Sequence, residues 1–248
     1  MLIAYHNDPA QKDAILAQLA AHRAADELVK GQYWQNGKGC AVACTLHLLD
    51  GGHAEYETRF GIPQILARLE DRIFEGLPNG SAMEWPQQFM GAIRPGADLS
   101  MIWPRFALWL LTEELPQFTK RAKTTAVLAK VGELYREWCE SGKNPESVRW
   151  QKARKSADAA AYASYADAAS YADAAAYAAY AAAAYAASYA AAYAAAADAA
   201  AYAAADASYA SYAAADAASN AASYADAAAR GNAYKRQAAK LIDLLESA

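Results

Sequence analysis

The chain has 248 residues, with 23 basic and 27 acidic side chains and a net charge of −4, a balance that disfavours a dedicated nucleic-acid binder. Its three cysteines, an odd number, do not make a disulfide framework and point to a reducing compartment. Outside polyalanine no run reaches the roughly 18 apolar residues of a membrane span, and the polar opening Met1-Leu-Ile-Ala-Tyr-His is too short for a secretory signal.

Taken in chain order, the first element is a helix capped by Asp8, begun by Pro9 and closed before Gly31. Ile15, Leu19, His22, Ala25 and Val29 form its buried stripe, with His22 as a hydrogen-bonded core histidine. Tyr33 and Trp34 follow in a connection, then Asn36-Gly-Lys-Gly39 leads into an apolar helix, Cys40 to Leu49, stopped by Gly51-Gly52. Pro63 opens the next helix, in which Ile62, Leu66, Leu69 and Ile73 face inward. Glu70 and Asp71 are adjacent, so they diverge, and they read as part of a solvated face. A short helix runs around Trp85-Pro86 to Ile93 and is broken by Arg94-Pro-Gly96. Ser100 caps one with Trp103, Phe106, Ala107 and Leu110 on a face, and Thr119 opens one with Val127, Val131, Leu134 and Trp138. No segment alternates as a strand, so the fold class is all-α.

Asn144-Pro145-Glu146 is a strong helix start, and no Gly or Pro follows until Gly231. Within that span, Ser156 to Ala229 comprises 46 Ala, 12 Tyr, 8 Ser, 7 Asp and one Asn. This alphabet lacks the branched side chains that fill a core, yet alanine is the best helix former. The tyrosines advance by threes and by fours and fall on two opposed sides of a single helix. Alanine-faced helices are the favoured reading and a non-helical solenoid of short turns is the alternative. Asn232 then caps a last helix with Tyr234, Ala238, Leu241 and Leu245 on its buried side. The expected organisation is a compact helical domain (1–143), an Ala/Tyr-rich repeat extension (144–230) and a C-terminal helix (231–248).

The segment from Gly37 to His47 is the one that reads as a site. A Gly37-Lys38-Gly39 turn feeding a helix leaves backbone amides aimed at the helix end, where Tyr33 and Trp34 lie nearby. Gly37, Lys38, Gly39, Cys40, Tyr33 and Trp34 are therefore the candidate ligand-binding residues. Cys40 in the first turn would have its thiol pKa lowered by the helix dipole and Lys38. If the protein is an enzyme, a hydrolase or transferase built on Cys40 and His47 is the candidate. The favoured reading of Cys40 is nonetheless structural or ligand-lining. Cys40, Cys44 and His47 are spaced too widely for one metal ion to hold all three, so no metal and no cofactor is expected. The basic residues flanking the tract, Arg149, Lys152, Arg154 and Lys155 before and Arg230, Lys235, Arg236 and Lys240 after, read as solvated helix ends rather than a nucleic-acid surface. Tyr162, Tyr165, Tyr177, Tyr180, Tyr185, Tyr189, Tyr193, Tyr202, Tyr209 and Tyr212 are the expected interaction surface, because tyrosine gives large amphipathic contact area at low entropy cost.

Two segments, Asn36-Gly-Lys-Gly-Cys-Ala-Val-Ala-Cys-Thr-Leu-His47 and Leu66-Ala-Arg-Leu-Glu-Asp-Arg-Ile-Phe-Glu-Gly-Leu77, resemble an uncharacterised family of phage and prophage proteins. Its members also carry an Ala-rich tail with Tyr, Trp or Ser, ending in a helix like Lys240-Leu-Ile-Asp-Leu-Leu245. Members usually have glycine where this chain has Ala43, so close backbone approach is not required there. The resemblance implies a phage accessory protein in the cytoplasm of a bacterial host. The functional expectation is a non-enzymatic binder that occupies or sequesters a component of bacterial defence. Its partner would be a host protein or a small signalling molecule. Self-association, or a structural rod, is the remaining alternative.

Overall fold

The computed structural model describes residues 2–47, 52–118, 122–166 and 227–248. The described part of the protein is all-α, with 73% helix and 3% strand. The contacts divide into two units, one of Met1–Trp103 with Tyr234–Ala248 and the other of Pro104–Ala233.

The first unit is assembled around a short, wholly buried helix. Helix α1 (Pro9–Ala24) starts as the sequence predicts, with the Asp8 carboxylate accepting from the Ala10 amide at 2.9 Å. Ile15, Leu19 and His22 are buried. The helix stops at Ala24 rather than near Gly31, because Asp26 turns left-handed at φ 54°. Ala25 is consequently exposed, and Val29 pairs its amide with the Gly39 carbonyl instead of extending the helix. A small antiparallel ladder then joins β1 (Trp34–Gln35) to β2 (Lys38–Gly39), which corrects the expectation that no strand forms. Asn36 and Gly37 have φ of 54° and 79°, the paired positive values of the tight hairpin turn that an Asn-Gly dipeptide favours.

Helix α2 (Ala41–Leu46) is shorter than the expected Cys40–Leu49, and its six residues are all buried. It packs against α1, α4 (Gln64–Gly76) and α5 (Asn79–Ala92). A one-and-a-half-turn helix, α3 (Glu55–Phe60), precedes α4 and packs on it. On α4, Leu66, Leu69 and Ile73 are buried as expected, with Ile62 just before the helix. Glu70 is buried with them, at 0% exposure, which overturns its assignment to a solvated face. Its position explains this: residues 66, 69, 70 and 73 follow the i, i+3, i+4, i+7 rule of a single stripe. Helix α5 begins a full turn and a half earlier than the Trp85-Pro86 signal, because Pro78 supplies a carbonyl to the Ala82 amide.

The second unit contains most of α6 (Ile102–Trp109), which passes into a wide turn over Leu110–Glu114. It also holds α7 (Ala122–Ser141) and α8 (Ser147–Ala166), packed on each other. Trp150 seals that contact with its ring 4.9 Å from Tyr135, while its indole N–H is shared between the Asn144 side chain and the Pro145 carbonyl. The Asn-Pro-Glu segment therefore lies just before the helix, which starts at Ser147, and anchors its first aromatic. Thr119 and the tract from 167 to 226 lie outside the described residues.

The last helix, α9 (Ala227–Glu246), runs straight through Gly231 and Asn232, so Asn232 is not its cap. A glycine inside a helix costs about 1 kcal/mol; here Gly231, Ala233 and Tyr234 are all buried. Tyr234 lies against Gly76 so closely that any side chain there would overlap its ring, and Arg72 sits 6.0 Å from the same ring centroid.

Candidate functional site

The Gly37-Lys38-Gly39 segment folds as the turn and second strand of the hairpin, and this decides what its amides do. The Gly39 amide donates to the Glu27 carbonyl at 2.9 Å, and the Cys40 amide donates to the Tyr33 carbonyl at 3.1 Å. Both amides that the sequence offered to a ligand are thus taken by the chain itself. Gly37 and Lys38 are exposed at the hairpin tip. Gly39 is a packing requirement, since a Cβ would overlap both the Tyr33 carbonyl and the Trp34 ring.

Cys40 caps α2 in an extended conformation and is 3% exposed. Burial pushes its thiol pKa up, and the Asp71 carboxylate beside it acts in the same direction. This reverses the expected lowering: Lys38 is exposed at the hairpin tip, and the carboxylate is the charge that acts on the sulfur. Cys44 is also buried, with its thiol aimed at the Gly39 carbonyl at 3.5 Å and pushed up to about 12 by burial. Its Sγ cannot share a metal with Cys40 and His47, and no group of three ligating side chains gathers among the described residues.

His47 does not continue the helix that the sequence carries on to Leu49. It ends α2 in the left-handed region at φ 51°, ψ 44°, with its amide bonded to the Ala43 carbonyl. A non-glycine residue held there carries backbone strain of about 1 kcal/mol or more. The turn swings the imidazole to His22, whose Nε2 is 2.9 Å from His47 Nδ1. On its other side His22 Nδ1 meets Glu27 Oε2 at 2.5 Å. Trp34 stands edge-on to both rings, at 5.8 Å from His22 and 6.3 Å from His47. Of the expected ligand residues, Trp34 therefore belongs to a site with His47, while Cys40 does not.

The partners order the protons of this chain. An ionised carboxylate only accepts, so His22 Nδ1 donates to Glu27. With one proton per ring, His22 Nε2 accepts from His47 Nδ1–H, which leaves the lone pair of His47 on Nε2. Two members of the relay, Glu27 and His22, were not read as a site in the sequence. The available signals were His22 on the α1 stripe and the Asn36-Gly37 turn, which folds the following segment back over it.

A second polar group is buried under α2. Tyr56 donates to Glu70 Oε2 at 2.5 Å, and the Trp85 indole donates to the Glu70 carbonyl at 2.9 Å. Burial raises the Glu70 pKa to about 8, against the smaller opposing effects of the Tyr56 and Thr45 hydroxyls. Of the tyrosines expected to form an interaction surface, Tyr162 and Tyr165 lie on the backbone of α8. Tyr177, Tyr180, Tyr185, Tyr189, Tyr193, Tyr202, Tyr209 and Tyr212 lie outside the described residues. No family model, no curated protein and no solved structure matches the chain.

Proposed function

We propose that this is a binding protein rather than a cysteine enzyme, acting inside a bacterial host to occupy or sequester a component of its defence. The observation that carries the choice is the state of Cys40. A nucleophilic cysteine needs a thiolate, an exposed sulfur and a cationic or dipolar neighbour. Cys40 has a buried sulfur, a carboxylate beside it and a thiol pKa moved upward. The host setting rests on the resemblance of the Gly-Lys-Gly-Cys segment to phage proteins. None of the helices among the described residues is long and apolar enough to cross a membrane, which fits a partner met in solution. The tract tyrosines are the surface proposed to meet a macromolecular partner.

Capture from bacterial lysate tests this with the intact chain, Cys40→Ala, and a variant with the ten named tyrosines changed to Ser. The expected result is one specific partner held by the intact chain and by Cys40→Ala, and lost by the tyrosine variant. Loss of the partner in a folded Cys40→Ala protein would overturn the assignment of Cys40. Retention by the tyrosine variant would remove the tract as the binding surface, and capture of nothing specific by the intact chain would end the reading.

A further inference from the structure

A cleft of about 530 Å³ opens beside His47, between α1, the end of α2 and α3. Its buried lining is mainly apolar, from Ile15, Leu46 and Phe60 with Thr45 among them, and its more exposed lining is polar, from Gln18, His47 and Arg59. The polar residues are held in place by the backbone. Arg59 donates one guanidinium N–H to the Leu46 carbonyl at 2.7 Å, which fixes it against the residue preceding His47. Gln18 donates to the Cys44 and Thr45 carbonyls at 2.6 and 3.0 Å, closing the end of α2. Gln11, also in the lining, donates to the Arg59 carbonyl at 2.9 Å, and its Oε1 is buried without a partner. Arg59 has no carboxylate partner among the described residues, so its remaining N–H donors stay available.

We propose that this cleft binds a small molecule with an oxyanion head, a phosphate monoester or a carboxylate, on an apolar or aromatic body. The head is recognised by Arg59, whose planar fork matches both oxyanions. The body covers Ile15, Leu46 and Phe60. His47 Nε2, left as an acceptor by the Glu27–His22 relay, takes the O–H of a monoprotonated phosphate. Among the described residues, the charged and titratable groups about this imidazole are Glu27 and His22 behind it and Arg59 in the same cleft, with His6 Nε2 3.1 Å from the Arg59 carbonyl. This site is distinct from the tract tyrosines, so its test can fail while the capture experiment succeeds, and the reverse.

Phenyl phosphate, benzoate and inorganic phosphate are titrated against the intact ¹⁵N-labelled protein, with the histidine ring nitrogens observed. The unliganded protein is expected to show both His22 and His47 protonated at Nδ1. Phenyl phosphate or benzoate should then bind saturably and move the His47 Nε2 resonance, with the tighter of the two identifying the head group. Arg59→Gln should weaken binding about tenfold or more, the worth of one charged hydrogen bond, and His47→Asn, which tolerates the left-handed backbone, should weaken it too. If Arg59→Gln fails to fold, Arg59→Lys keeps a donor to Leu46 and should still bind more weakly than the native protein. Failure of both organic probes to bind, or unchanged affinity in folded Arg59 and His47 variants, overturns the proposal. Binding of inorganic phosphate as tight as that of phenyl phosphate removes the apolar body from it.

Discussion

The buried carboxyl of Glu70 makes the stability of the first unit depend on pH in a direction opposite to that of most carboxylates. Its pKa rises from the ordinary 4.5 to about 8 in the folded protein, with burial as the largest cause. Between those values the folded chain holds a proton that the unfolded chain has lost, so stability falls as pH rises. The contribution is fully present below about pH 4.5, is lost through about pH 8, and is flat beyond it. A difference of about 3.5 units at about 1.4 kcal/mol each sets a ceiling of about 5 kcal/mol, a large part of the roughly 5–15 kcal/mol that holds a domain folded. The opposing hydrogen bond is already included in that balance: Tyr56 donates to Oε2 whether or not Oε1 carries a proton.

Glu70→Gln is the perturbation that isolates this effect. The amide keeps the shape and an acceptor for Tyr56, and it has no proton to lose. Its NH2 group falls where Oε1 now lies without a hydrogen-bond partner and leaves one more donor unpaired than the single O–H of the neutral acid, which costs about 1–3 kcal/mol. The variant is therefore less stable than the native protein near pH 5. It should gain on it by up to about 1.4 kcal/mol per pH unit as the pH rises to about 8. Urea unfolding of both proteins at several pH values gives the difference directly, since all other titrating groups cancel. A stability difference that stays constant from about pH 5 to about pH 8 would refute the reasoning, because Glu70 would then not be held neutral by burial.

The thiols give a further prediction: iodoacetamide should label the half-buried Cys139 of the native protein first. Cys40 and Cys44, both buried with raised pKa values, should label at the rate of unfolding, as followed by mass spectrometry of peptides. Gly76→Ala should lose about 1–3 kcal/mol by overpacking, because the Tyr234 ring occupies the space its methyl would need; the urea midpoint should fall with an unchanged slope. Asp8→Ala should cost about 1 kcal/mol through loss of the cap on α1, and no measurable loss would mean that the 2.9 Å contact contributes little in solution.

What the sequence reveals of this protein divides according to how far the cause of each feature lies along the chain. The Asp8 cap, the stripe through Ile15, Leu19 and His22, and the buried set Leu66, Leu69 and Ile73 depend on neighbours within a turn or two, and each is legible. Glu70 was legible in the same way, since it occupies a stripe position; the general preference of carboxylates for water pointed the other way, and a tyrosine fourteen residues upstream bonds one of its oxygens inside. The Asn36-Gly37 hairpin had its local signal as well, and recognising it would have shown that the Gly39 and Cys40 amides are spent on chain carbonyls. The histidine relay had no such signal. It needs α1 to stop at Ala24 so that Glu27 can turn back to His22, and it needs His47 in a backbone region that few residues other than glycine adopt. It also joins residues 25 positions apart. Cysteine and glycine drew attention to the hairpin because their chemistry is visible one residue at a time. The relay acquires its chemistry only from the partner each ring meets, and a nitrogen left as an acceptor at the edge of a cleft is a property of the fold.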